Sequence, residues 1–239
     1  MLLENLRIEI YADGADEKGI LELYRDPLIR GITTNPSLMR KAGVTDYEAF
    51  ARRILETVVE KPISFEVLSD DFDDMRRQAL KIAGWGSNVF VKIPVMNTRR
   101  ETSLPLIREL SHDGVQVNIT AVIVEQHIIP AIRALRPDVP GIVSIFAGRI
   151  ADTIRKPGAI MIQAAATARR HSPRTKILWA SVREPLNILK AERCDCHIVT
   201  VPHDILAKAR AMADMDLMEL SAKTVEMFAR DAAAAGFTL

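Results

Sequence analysis

Asn88-Val89-Phe90-Val91-Lys92-Ile93-Pro94 reads as a short apolar β-strand with one lysine near its C-terminal end. Val, Phe and Ile in such a run suit a strand covered on both faces, as in a parallel sheet. Pro94 lacks a backbone donor and marks where the ladder stops. Lysine is rarely buried without a partner, so Lys92 needs an explanation. One is a side chain that snorkels its ammonium to water along an apolar wall. The other is an amine nucleophile that forms a Schiff base with a carbonyl substrate. A free lysine has a pKa of about 10.4, so only about one in 2,500 is neutral at pH 7. Apolar surroundings and nearby cations lower that value. Regaining the neutral amine in full is worth about 4.6 kcal/mol. What surrounds Lys92 decides between the two.

Outward from this strand the chain alternates between strand and helix signals. Strands are expected at 7–11, 29–33, 62–67, 89–93, 115–119, 141–146, 176–180 and 196–201. Helices are expected at 16–25, from a cap at Asp46 through Val58, and at 70–83, 98–110, 124–135, 158–170, 185–191 and 204–212. Eight strand–helix units of roughly 25 residues point to an α/β fold, a (β/α)8 TIM barrel. An open doubly wound sheet is the alternative, but neither G-x-G-x-x-G nor a P-loop occurs. A further amphipathic helix is expected at 216–235, with Leu217, Leu220, Met227 and Phe228 near one face. The expectation is therefore one barrel domain over 1–239 with an added C-terminal helix. That helix packs either on its own barrel or on a neighbouring subunit.

Composition excludes several classes. The 239 residues fit a single barrel of about 250. With 48% apolar and 26% charged residues, the chain has the make-up of an ordinary soluble globular protein. A net charge of +1 gives no strongly basic face for nucleic acid. No apolar run reaches the length of a membrane span. Glu4, Arg7 and Glu9 interrupt the N-terminal stretch, so a signal peptide is not expected. The two cysteines, Cys194 and Cys196, allow no disulfide framework and suit a reducing cytoplasm. With His197 and His203 nearby they lack the paired spacing of a zinc site, so no metal is expected.

Polar residues recur where these strands end. Asp13 follows the first strand and Asn35 the second. Glu66, Lys92, Asn118 and Ser144 then fall 26 residues apart, each interrupting an apolar strand. Equal module length places equivalent positions at equivalent heights around a barrel. Strand C-termini converge on one mouth, where barrel active sites sit. Any one of these residues could be a polar group meeting solvent. A carboxylate, an amine, two amides and a hydroxyl on one ring make a candidate site. Thr120 points to the same side as Asn118. Arg149, Ser181 and Arg183 follow strands six and seven and could cradle a phosphate with nearby backbone donors.

These residues resemble those of the transaldolase family, which includes the related fructose-6-phosphate aldolases. The matching segments are Asp13, Thr33-Thr34-Asn35-Pro36-Ser37-Leu38, Phe65-Glu66-Val67, Val91-Lys92-Ile93-Pro94, Asn118-Ile119-Thr120, Ser144 to Arg149 and Ala180-Ser181-Val182-Arg183. The resemblance implies a Schiff-base lysine on strand four, which is Lys92. It implies Asp13 as acid–base catalyst, and Glu66 and Thr120 as holders of a proton-shuttling water. It assigns Thr33, Asn35, Asn118, Ser144 and Phe146 to the substrate, and Arg149, Ser181 and Arg183 to its phosphate. No cofactor or metal is implied. The substrates would be sugar phosphates and the assembly a homo-oligomer, a pentamer or decamer.

Aldolase members usually carry Gln where Glu66 stands and Tyr where Phe146 stands. The resemblance therefore favours a transaldolase over an aldolase that releases dihydroxyacetone. A specialised transaldolase making an unusual sugar, or a non-catalytic phosphosugar binder, are further alternatives. Ile145, Ala147 and Val182 depart from the family pattern near the phosphate end.

Overall fold

The computed structural model describes residues 2–237. Eight parallel strands close into a barrel in sequence order, with β1 paired to both β2 and β8. The strands are β1 (Glu9–Asp13), β2 (Ile29–Thr33), β3 (Ile63–Glu66), β4 (Val89–Pro94), β5 (Val117–Val122), β6 (Gly141–Ile145), β7 (Thr175–Trp179) and β8 (Ile198–Pro202). Around them run α1 (Glu17–Tyr24), α2 (Pro36–Lys41), α3 (Tyr47–Thr57), α4 (Phe72–Ala83), α5 (Leu104–His112) and α6 (Glu125–Ala134). The circuit continues with α7 (Ala147–Asp152), α8 (Gly158–His171), α9 (Leu186–Arg193), α10 (His203–Met212) and α11 (Leu217–Ala235). This is the (β/α)8 TIM barrel the alternation predicts.

The local reasons are legible. Asp16, Asp46 and Asp71 each accept a hydrogen bond from the backbone N–H three residues on, capping α1, α3 and α4. Each such cap contributes about 1 kcal/mol. The main core lies between strands and helices, where Ile20, Phe50, Ile54, Met75, Ile107 and Ile132 are fully buried or nearly so. Ala164, Ala165 and Ala168 let α8 approach the strands closely.

Inside the barrel, Tyr11, Phe90, Ile142, Leu178 and Ile198 form a separate apolar cluster. It packs the barrel below the mouth with buried apolar side chains. Gly31 makes room for it, since a Cβ there would lie 2.5 Å from the Tyr11 ring. Two residues further along these strands, the inward positions are Asp13, Lys92, Ser144, Ala180 and Thr200. The period of two along a strand thus puts an apolar plug under a largely polar floor.

Several boundaries differ from expectation. Strand β1 ends at Asp13, two residues beyond the predicted stop, so Asp13 belongs to the strand rather than to the loop. Helices α2 and α7 are unforeseen. In α2 the Asn35 cap and Pro36 at the first turn are proper start signals, but the helix is only six residues long. Helix α5 starts at Leu104 instead of residue 98, because a Met96–Thr102 bridge closes a loop there. Strand β5 runs on to Val122, with Ala121 at φ 57° where its register against β6 shifts.

The 26-residue spacing also holds only in part. Glu66 pairs with Lys92 and Lys92 with Asn118. Asn118 then pairs with Ile142, which leaves Ser144 two residues higher. A closed barrel requires such a stagger, because tilted strands cannot keep equal heights all the way round.

Helix α11 is present where expected, and none of its residues is buried. Leu217, Met218, Val225, Met227 and Phe228 are all exposed, while Leu220 is half-buried. No described helix is long and apolar enough to cross a membrane. Cys194 and Cys196 are buried in the core beside α9.

Candidate active site

The strand C-termini enclose a mouth of about 530 Å³, open to solvent. Lys92 stands on β4 at its floor and is only 6% exposed. Its Nζ donates to the Thr34 carbonyl at 2.6 Å and lies 3.2 Å from Glu66 Oε2. The ammonium does not face bulk water, so the snorkelling account fails. Glu66 is the cross-strand neighbour of Lys92, which is why the two side chains meet.

Asp13 lines the same mouth from β1. One carboxylate oxygen accepts from Thr33 Oγ1 at 2.8 Å, and Thr33 Oγ1 lies 2.5 Å from Thr200 Oγ1. Burial pushes the Asp13 carboxyl above the usual carboxylate range, and Glu66 adds to the rise. Lys92, the Thr33 hydroxyl and His203 oppose it without cancelling it. A carboxyl whose proton affinity is raised in this way is suited to exchanging protons with a substrate.

Thr120, Ser144 and Phe146 also line the mouth. Asn35 lines it too, although its Oδ1 is taken up in accepting from Leu38 N–H at 3.0 Å. Asn118 differs from expectation: it is fully buried and does not line the cavity. Its Nδ2 donates to Ser64 Oγ at 3.1 Å, and its Oδ1 accepts from Ser144 Oγ at 2.7 Å. The register step between β5 and β6 places Ser144 above it, so Ser144 presents the polar surface that Asn118 supports.

At the far rim, Arg149, Ser181 and Arg183 come together. The Arg149 guanidinium sits 5.5 Å from the centroid of the Phe146 ring. Arg183 Nη2 donates to Asp152 Oδ2 at 2.7 Å, which leaves its other donors for a ligand. Ser181 has φ 65°, in the left-handed region. A Cβ on Gly148 would lie 1.6 Å from the Ser181 carbonyl oxygen, so only glycine fits there. Two guanidiniums and a hydroxyl on this rim can take up a dianionic group.

The family model described as Transaldolase/Fructose-6-phosphate aldolase matches residues 10–239. The chain belongs to the transaldolase/fructose-6-phosphate aldolase family. A protein named "Probable transaldolase" from Thermoanaerobacter sp. (strain X514) is 34% identical over 83% of this chain and 88% of its own length. Another of the same name from Clostridium perfringens (strain SM101 / Type A) is 32% identical over the same shares. Among solved structures, a dihydrodipicolinate synthase family protein from Coccidioides immitis superposes with a TM-score of 0.56. That match has 13% identity and covers 82% of this chain and 65% of that one, which makes it a likeness of fold.

In this transaldolase/aldolase-family barrel, sequence reasoning passed over several residues that build the mouth. Thr200 and Ser64 are polar residues on apolar strands, the same signal that picked out Glu66, and both hold residues of the site in place. The Thr34 carbonyl that receives the amine carries no side-chain signal at all.

Proposed function

We propose that this protein is a transaldolase, moving a dihydroxyacetone unit from a ketose phosphate to an aldose phosphate through a Schiff base on Lys92. The observation that carries the reading is one buried amine at the floor of the barrel mouth, with the Glu66 carboxylate 3.2 Å away and Asp13 lining the same cavity. Glu66 takes a proton from Lys92, and the neutral amine attacks the ketose C2 carbonyl. Water leaves as the imine forms, with Glu66 and Thr120 relaying protons through a bound water. Asp13 removes the C4 hydroxyl proton, the C3–C4 bond breaks and its electron pair moves into the protonated imine as an enamine. The aldose phosphate departs. An acceptor aldehyde then takes the enamine carbon, Asp13 returns the proton, and hydrolysis frees Lys92.

Thr33, Asn35 and Ser144 hydrogen-bond the three-carbon unit, with Asn118 bracing Ser144 from behind. Arg149, Ser181 and Arg183 hold the phosphate some distance from the reacting carbons. Phe146 has no hydroxyl with which to protonate the enamine, which favours transfer over release. Borohydride added with fructose 6-phosphate should reduce the imine left after cleavage and add the three-carbon dihydroxyacetone unit to Lys92. Turnover should require an acceptor such as erythrose 4-phosphate. Absence of the adduct defeats the reading, and sustained cleavage without acceptor converts it to an aldolase.

We also infer a homo-oligomer in which α11 covers a neighbouring copy. Its exposed apolar face is otherwise unexplained. Sedimentation of a chain cut before Leu217 should show smaller particles than the full chain. Equal sizes would remove this inference.

A further inference from the structure

We propose that Tyr47 is a positioning residue for the nucleophile, because its hydroxyl takes the backbone hydrogen bonds of Glu66 and thereby reserves the Thr34 carbonyl for the Lys92 amine. The inference starts from the ladder between β2 and β3. Ile32 pairs with Ile63 and Thr33 with Ser64. Ile32 N–H donates to the Pro62 carbonyl, and Thr34 N–H to the Ser64 carbonyl at 3.3 Å. In a parallel ladder the next rung is fixed by this alternation: Glu66 N–H should donate to the Thr34 carbonyl. That rung is missing. The Thr34 carbonyl accepts from Lys92 Nζ at 2.6 Å instead.

The displaced groups of Glu66 are both met by one hydroxyl. Glu66 N–H donates to Tyr47 Oη at 2.7 Å, and Tyr47 Oη donates to the Glu66 carbonyl at 2.9 Å. A side chain thus stands in for a strand at the position where β2 turns away into α2. Without it, Glu66 would carry an unpaired donor beside an attractive acceptor, and buried donors are rarely left unpaired.

The phenol is held in place from three sides. Tyr47 opens α3, whose cap is Asp46. Its ring meets Phe65 edge-on at 6.3 Å and Trp85 at 6.1 Å. Burial holds the phenol well above its ordinary ionisation range, so the hydroxyl stays able to donate and accept at once. Nothing in the sequence marks Tyr47 for this task; only the missing rung does.

The consequence for turnover rests on the Schiff-base reading, whereas the hydrogen-bond exchange does not. In Tyr47→Phe the ring and its packing remain. A crystal structure of the variant should show Glu66 N–H donating to the Thr34 carbonyl at about 3 Å, with Lys92 Nζ displaced from it. An unchanged Lys92–Thr34 contact in the variant overturns the proposal. With fructose 6-phosphate and borohydride, labelling of Lys92 should slow by roughly tenfold while KM stays near the wild-type value, since the phosphate rim is untouched. Wild-type labelling speed in the variant also overturns it. Trp85→Phe shrinks a ring against Tyr47 without touching the hydroxyl. It should lower Tm and leave labelling alone; an equal loss in both variants would mean that Tyr47 acts through packing only. If the wild-type protein itself forms no adduct, the Schiff-base reading fails, and the crystal structures still decide whether Tyr47 guards the carbonyl.

Discussion

Lys92→Met and Lys92→Arg should each lower transfer activity by roughly 10⁴-fold or more, the scale seen when a covalent nucleophile is removed. The two substitutions separate covalent from electrostatic roles. Arginine keeps a cation beside Glu66 but forms no imine with a ketose under these conditions. Methionine keeps much of the volume and removes both the charge and the amine. If the lysine served only to hold a charge in the mouth, Lys92→Arg would retain substantial activity. Borohydride with fructose 6-phosphate should leave both variants unlabelled, and an adduct on another lysine would relocate the chemistry.

The second large effect belongs to Asp13. Asp13→Asn should lower the rate of transfer by roughly 10²–10⁴-fold, the usual contribution of a positioned acid–base group. The imine should still form, because the amine and Glu66 are intact. Borohydride labelling at near wild-type speed, with C3–C4 cleavage lost, is the expected signature. Loss of labelling together with cleavage would place Asp13 in imine formation instead.

The same substitution has an opposite effect on stability. Burial, the largest cause, raises the Asp13 carboxyl above its unfolded value. The folded state therefore holds that proton more tightly than the unfolded one. The group favours folding most at low pH, and this benefit is lost as pH rises from the unfolded value through the folded one. Wherever the group is ionised, its burial opposes folding, a cost that a neutral amide does not carry. Asp13→Asn should melt higher than the wild type at pH 7. The gap should narrow as pH falls. A variant that melts lower at pH 7 would contradict this account of the Asp13 environment.

Much of this could be read from residue order. The β4 run around Lys92 and the repeated strand–helix alternation led to the barrel, because hydrophobic periodicity reports directly which face of each element is covered. Interruptions of apolar strands by Glu66, Lys92 and Ser144, with Asp13 just past the first predicted strand, point to the mouth for the same reason. Asn118 shows where that logic stops. It has the same signal as Ser144, yet it is sealed beneath it, because the stagger between β5 and β6 shifts one strand against the next. Helices α2 and α7 were missed because six residues give too short a stretch for periodicity to register.

What residue order determined by itself was which side chains alternate inward and how many strand–helix units there are, and these depend on local spacing alone. What only the tertiary structure decided was which carbonyl holds the Lys92 amine, which hydroxyl releases that carbonyl, and which of two amides 83 residues apart lines the cavity. Those outcomes turn on register and on backbone hydrogen bonds between distant strands. Backbone groups are the same in every residue, so the sequence carries no mark of where they will meet.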